Sequence, residues 1–358
     1  MSVKLTGIEL IKKLSLAFGP TGCEDEVAEL IIERVKDTAH GLSRDLMGNV
    51  IARMSFGEGG ARRKIMVCAH MDEVGFMVNE ICDDGTVRFG NVGGIDPSVL
   101  SGRKVTMGDE RAEKRVSGVI ASKAIHHKDP DERGKPPKAK NLYIDIGAKD
   151  KEECEKYLSV GSFGTFDSEF VLFGKNGRTA KCKALDDRMG CAVMIEIMDS
   201  LSESPIDIPL DVYFCFTVRE EIGLSGAKTA AQKLVPDFAI VLETTAVGDI
   251  AGAEECRRVA RLGEGGTLSL MDRSTIYSKE FITFALDTAK TGGIPVQVKK
   301  YVSGGNDAGN IHKTGVGVKA LALSLPTRYL HSASCVASLD DYDSVKALTE
   351  AMIRNFSL

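Results

Sequence analysis

The chain has 358 residues, 43% of them hydrophobic and 27% charged, enough for one large core or two unequal domains, so size sets no limit on stability. Forty-six Lys and Arg stand against 51 Asp and Glu, a net charge of -5 spread without acidic or basic blocks, which excludes an electrostatic footprint for nucleic acid. No apolar run approaches the roughly 18 residues that a membrane-spanning helix needs.

In chain order, MSVKLTGIELIKKLSLAFG mixes lysines into a helical pattern and lacks the apolar stretch and cleavage site of a leader, so it reads as the first helix of the mature fold. KIMVCAH (64–70) is an apolar run that predicts a buried strand. Residues 73–166 change texture. Short alternating runs broken by Gly and Asp, as in GFMVNEICDDGTVRFGNVGG, predict a small β-rich domain, PDZ-like or barrel-like, inserted into the rest. Its segment DPDERGKPPKAKN (129–141), crowded with Pro and charge, predicts a mobile loop. Beyond it, helical patterns at 190–203, 223–235, 278–293 and 342–356 alternate with strand runs at 210–218, 237–243 and 318–326. The last helix places Val345, Leu348, Met352 and Ile353 on one face. This alternation is that of an α/β fold, a mixed sheet with helices on both faces, formed by 1–72 and 167–358 around the insertion 73–166. Nine cysteines, an odd number without CxxC spacing and with Cys68 and Cys215 inside strand runs, predict reduced core thiols in a cytoplasm.

Four strand runs end in residues that bind divalent metals: His70 after KIMVCA, Glu220 and Glu221 after FCFTVR, Glu243 after FAIVL, and His331 soon after LALSLP. In open α/β sheets ligands bind outside the carboxyl ends of the strands, so these separate segments can converge. ALDDR (184–188) adds Asp186 and Asp187 just before the helix that starts near Gly190. In HMD (70–72), Asp72 is the candidate to hold the second ring nitrogen of His70, because a ligating imidazole needs its tautomer and orientation set. Adjacent Glu220 and Glu221 at a strand end cost desolvation unless metal or protons neutralise them; one can ligate while the other moves protons. The competing reading is a solvated turn before the next helix, with acids placed favourably at its N-terminus. Asp186, Glu221 and Glu243 carry three negative charges, so two divalent ions with one shared hydroxide balance them. The imidazole and carboxylate mixture suits Zn or Co first and Mn next, better than Ca.

With these residues in place, the chain resembles the tetrahedral (TET) aminopeptidases, also called glutamyl or deblocking aminopeptidases and sometimes endoglucanases. The resemblance runs over nearly the whole chain, through FGPTGCEDEV (18–27), DLMGNVIA (45–52), CAHMDEVGFMV (68–78), LYIDIGA (142–148), KALDDRMGC (183–191), TVREEIGLSGA (217–227), GGNDAGNIH (304–312) and PTRYLHS (326–332). It implies that His70 and His331 bind one metal each, that Asp186 bridges them, that Glu221 and the acid at 243 complete the shells, and that Glu220 is the general base. It implies a cis peptide between Asp186 and Asp187. It also implies a dimer-building insertion, homo-oligomers up to a hollow dodecamer, and short peptides as substrates. Two positions depart from the family pattern: Glu243 stands where Asp is usual, and Asn306 where Thr is common. Related di-metal hydrolases acting on carboxyl-terminal residues or acylated amines resemble the chain at position 243, which keeps an amidohydrolase or carboxypeptidase-like reaction open. A non-catalytic oligomeric shell is the third reading.

The remaining polar residues read more plainly. His126 and His127 in the insertion, His312 and His40 are expected to be structural or solvent-facing. Asp307 either caps a turn of the Gly-rich loop or positions substrate, and Arg328 and Tyr329 are candidates to orient His331 or its loop.

Overall fold

The computed structural model describes residues 5–59, 62–109, 115–127, 129–130 and 134–358. Among them, four strands form a parallel core in the order Leu210–Thr217, Arg63–His70, Phe238–Ala246 and Lys319–Arg328. Val50–Phe56 and Gly41–Arg44 extend it antiparallel on one side, and Cys335–Ser338, Thr179–Cys182 and Val171–Phe173 on the other. Gly266–Leu268 pairs with Lys319–Arg328 and with Val296–Val298, which completes a mixed sheet of eleven strands.

Residues 65–70 and 238–245 are buried without interruption, and a strand buried at consecutive positions is covered on both faces. Two groups of helices supply that cover. Leu185–Glu203 packs with Gly7–Leu16, Asp25–Val35 and Leu339–Arg354, while Ser225–Leu234 packs with the short Ala308–Ile311. Leu185–Glu203 is the most enclosed helix: every residue from Leu185 to Ile195 is buried. It begins earlier than its periodicity suggests, because Asp186 and Asp187 belong to its first turn with non-helical backbone angles. The peptide between them is cis. Arg188 is fully buried and donates to Leu14 O at 2.7 Å and Gly19 O at 3.2 Å, tying this helix to the end of the first one. Gly19 permits that contact, since a Cβ there would stand 2.6 Å from the guanidinium.

The inserted segment closes into a barrel of six strands among the described residues, in the order Gly75–Ile81, Val87–Val92, Tyr143–Asp145, Val116–Ala121, Lys104–Gly108 and Phe163–Phe166. It has its own core, in which the Phe76 ring meets Phe89 and Phe166 edge to face at 5.3 and 5.1 Å. Truncating such a ring removes a large apolar area and leaves a cavity. Phe76→Ala is expected to lower unfolding stability by about 3–5 kcal/mol, read by denaturant titration; a loss under about 1 kcal/mol would contradict this packing. Of the segment 129–141, residues 131–133 lie outside the described ones, and Ala139–Asn141 form one 3-10 turn.

Barrel and sheet meet at a buried ionic network. Lys183 Nζ donates to Glu73 Oε1 at 2.6 Å and to Ala17 O at 2.9 Å, and Thr165 Oγ1 donates to Glu73 Oε2 at 2.7 Å. Glu73, where the insertion departs from the sheet, is thus bonded both to the barrel strand Phe163–Phe166 and to the residue that follows Thr179–Cys182. No helix among the described residues is long and apolar enough to cross a membrane. No disulfide links the cysteines among the described residues, and burial pushes the thiols of Cys68, Cys191 and Cys215 upward.

Candidate metal centre

Register brings the strand ends level. Thr217 pairs with His70, and Val241 with Cys68, so Glu243, two residues further on, lies beside His70 two residues beyond Cys68. Neighbouring parallel strands point level side chains to the same face, and the His70 Nε2 to Glu243 Oε1 distance is 3.6 Å. Asp186, delivered by the buried helix, places Oδ1 3.2 Å from His70 Nε2 and Oδ2 3.5 Å from His331 Nε2. His331 Nε2 also lies 3.3 Å from Glu221 Oε1, and Glu220 Oε2 is 4.0 Å from His70 Nε2. All five candidate ligands and Glu220 thus share one cluster, with Asp186 between the two histidines. Donor atoms of His70, Asp187 and Glu243, of His70, Glu220 and Glu221, and of Asp186, Glu221 and His331 each lie within 4.8 Å of one another.

Both imidazoles are held from behind. His70 Nδ1 lies 3.0 Å from Asp72 O, and His331 Nδ1 lies 2.6 Å from Gly94 O, in the inserted segment. Each Nδ1–H donates to a carbonyl, which leaves the Nε2 lone pair facing carboxylate oxygens. That arrangement repels itself unless cations or protons stand between. Protons alone show the strength of the demand. Burial draws the His331 ring toward neutrality, yet its hydrogen bonds to Asp186 and Glu221 outweigh this and raise it to about 11. Burial raises Glu243 to about 7 against the pull of His70, and burial together with the Glu243 charge pushes Glu220 well up. Five carboxylates around two rings, with nitrogen and oxygen donors only, fit divalent cations of the Zn, Co or Mn type.

Asp72 is fully buried and supports the site through its backbone and side chain. Its carboxylate accepts from the N–H of Glu220 at 3.1 Å, from that of Glu221 at 3.2 Å and from Thr21 Oγ1 at 2.7 Å. The two glutamates are therefore held by their backbone rather than lying in a solvated turn. Their side chains are only 11% and 5% exposed, which excludes the solvated reading. Glu243, one methylene longer than the usual Asp, folds back so that Oε1 accepts from the N–H of Thr244 at 2.9 Å. The extra length is taken up locally.

Several participants carried little sequence signal. Asp187 is fully buried and accepts from the backbone N–H groups of His70 and Gly190 at 3.3 and 3.2 Å, so it ties the helix start to the His70 strand. Its adjacency to Asp186 was the available hint. Asp307 is buried and accepts from Thr217 Oγ1, at the end of its strand, at 2.7 Å; it precedes Ala308–Ile311 but its side chain makes no cap hydrogen bond there. Gly94 offers only a carbonyl, for which residue type gives no clue. Arg328 does not orient His331: its guanidinium makes two hydrogen bonds of 2.8 Å to Asp249. Tyr329 and His331 instead take left-handed backbone angles, φ 58 and 56, which turn the loop back toward Asp186. His312 bonds Ala308 O on its own helical turn, while His40, His126 and His127 are exposed.

A family model described as M42 glutamyl aminopeptidase matches residues 48–348. The solved TET aminopeptidase of a marine sediment archaeon, Thaumarchaeota archaeon SCGC AB-539-E09, is 36% identical with a TM-score of 0.93, over 98% of this chain and 96% of that one. The solved Pyrococcus horikoshii TET1 peptidase, which can assemble into a tetrahedron or a large octahedral shell, is 33% identical with a TM-score of 0.85, over 98% and 99%. A lysyl aminopeptidase of Pyrococcus furiosus is 31% identical over 96% of each chain.

Proposed function

The chain belongs to the M42 glutamyl aminopeptidase family and is a metallo-aminopeptidase, and from that premise we propose that it removes the first residue of short peptides at a two-cation centre. The observation that carries this reading is the division of Asp186, one carboxylate oxygen toward His70 and the other toward His331. His70, Asp186 and Glu243 would hold one cation; His331, Asp186 and Glu221 the other. Zn or Co suits this set, with Mn next. Such a pair supplies a water of lowered pKa and a polarised scissile carbonyl.

The protein's own groups do the rest. Glu220 takes the proton of the attacking water and returns it to the leaving amine. Burial and the Glu243 charge raise the proton affinity of Glu220, as a group that takes a proton from water requires. Asp72 keeps Glu220 and Glu221 in register with His70 by holding their N–H groups. A free amine, unlike an acylated one, has a lone pair that the second cation would take, which would favour unblocked peptides. Residues 73–166 are assigned the dimer contact, with dimers assembling toward a tetrahedral dodecamer as the TET1 relative's shells support. The absence of disulfides among the described residues favours a reducing, cytoplasmic setting.

Peptides, N-acyl amino acids and carboxypeptidase substrates offered to the metal-reconstituted protein test this reading. Free-amine peptides should be cleaved, and blocking the amine should lower kcat/KM about a hundredfold or more. Preferred cleavage of blocked or carboxyl-terminal substrates would replace the proposal with the amidohydrolase or carboxypeptidase-like reading that Glu243 first suggested.

A further inference from the structure

The two halves of the centre differ in what holds their ligands. His70 ends a strand paired on both sides, and its Nδ1–H donates to Asp72 O at 3.0 Å. Glu243 lies within a strand and folds onto the N–H of Thr244. Both partners lie outside the inserted barrel. His331 is framed differently. It sits in a loop after Lys319–Arg328 with a left-handed backbone, φ 56, and its side chain is 34% exposed against 2% for His70.

Its support comes from the barrel. Gly94 O, in the turn that follows the barrel strand Val87–Val92, accepts from His331 Nδ1–H at 2.6 Å. Two residues beyond His331, Ala333 packs into the barrel's own apolar core, which also holds Ile95. Ala333 O accepts from Ser168 Oγ at 2.7 Å, just past the barrel strand Phe163–Phe166. The turn also touches Glu221. At Gly93 φ is 83, and a Cβ there would stand 2.8 Å from Val74 Cγ1 and 3.3 Å from Glu221 Cβ, so glycine leaves Glu221 its place. One turn of the barrel thus meets both ligands that the His331 half of the centre does not share.

We propose that the Gly93–Gly94 turn is a positioning element for one cation alone, that of His331 and Glu221, so that the docking of the barrel on the sheet sets how tightly this cation binds and leaves the His70–Glu243 cation little changed. This rests on the two-cation reading. Because coupling between sites is reciprocal, loading this cation also steadies the turn.

The test titrates the full chain, stripped of metal, with Zn(II) by calorimetry. Gly93→Ala is compared with Gly147→Ala, which places a methyl at φ 80 in the insertion with nothing within 4 Å among the described residues, and so shares the backbone strain without the contact to Glu221. Gly93→Ala should weaken one of the two binding events by about tenfold to a hundredfold, the usual effect of disturbing the groups that orient metal ligands, and Gly147→Ala neither. In His331→Ala, which keeps the His70 cation, adding Gly93→Ala should change nothing further. Hydrogen exchange gives a second measurement that needs no Gly93 variant to fold: Zn(II) should slow amide exchange across residues 93–95 in the wild type and not in His331→Ala. Wild-type affinities at both sites in Gly93→Ala, equal weakening of both, or exchange across 93–95 that loading leaves unchanged overturns the inference and leaves the two-cation reading standing. A wild type that takes up fewer than two equivalents overturns that reading and the inference with it.

Discussion

Glu220→Gln is expected to retain both cations and to lose about a thousandfold or more in kcat, since general acid–base groups commonly supply 10²–10⁴ of rate. The amide keeps the shape of the side chain and cannot take a proton. Glu220 is the outlying carboxylate of the cluster, 4.0 Å from His70 Nε2, whereas Asp186 and Glu243 stand at 3.2 and 3.6 Å. Its N–H bond to Asp72 does not involve the side chain and survives the substitution. Metal content by emission spectroscopy and turnover on one free-amine substrate separate the outcomes. Activity near wild type would remove Glu220 from proton transfer, and loss of a cation would make it a ligand.

Asp186→Asn should fail in a different way. The amide can present one oxygen, but its nitrogen is no ligand and its charge is gone, so a carboxylate that serves two places becomes a group that serves one at most. Metal content is expected to fall from about two equivalents per chain to one or fewer, with kcat down about a thousandfold or more. Stability should report the same change. A cation that binds only the folded protein stabilises it by RT ln(1 + [L]/Kd), so chelation should lower the wild-type Tm and shift that of Asp186→Asn far less. Two tightly held equivalents in Asp186→Asn would rule out the bridging role.

The two substitutions also weigh the non-catalytic shell. A relict site would hold cations weakly and show no turnover for either variant to lose. In the observed cluster every histidine has a carbonyl behind it and a carboxylate before it, an arrangement that costs desolvation and like-charge repulsion when no cation or proton is present.

Much of this site was legible in the chain because strand-end chemistry has a local signature. KIMVCAH and DFAIVLE are apolar runs stopped by a metal-binding residue type, and a parallel sheet places such stops along one crevice. Those runs became the strands Arg63–His70 and Phe238–Ala246. Boundaries were less legible where backbone geometry is special: a period of 3.6 cannot register a cis peptide or non-helical angles at Asp186 and Asp187, so the helix read from periodicity starts late. The insertion announced itself by texture, but closure into a barrel depends on pairings such as Val87 with Ile144, far apart in sequence.

By itself the sequence determined the α/β alternation, the β-rich insertion and the residue types at the strand ends, because hydrophobic period and residue chemistry are local properties of the chain. The tertiary structure alone decided how those residues are used. It set the sharing of Asp186 between two histidines, the Gly94 carbonyl behind His331 and the fold-back of Glu243 onto Thr244. Each of these depends on strand register or on contacts across a long sequence separation. Such contacts form only when the core holds distant segments within hydrogen-bond reach, and no local pattern encodes that distance.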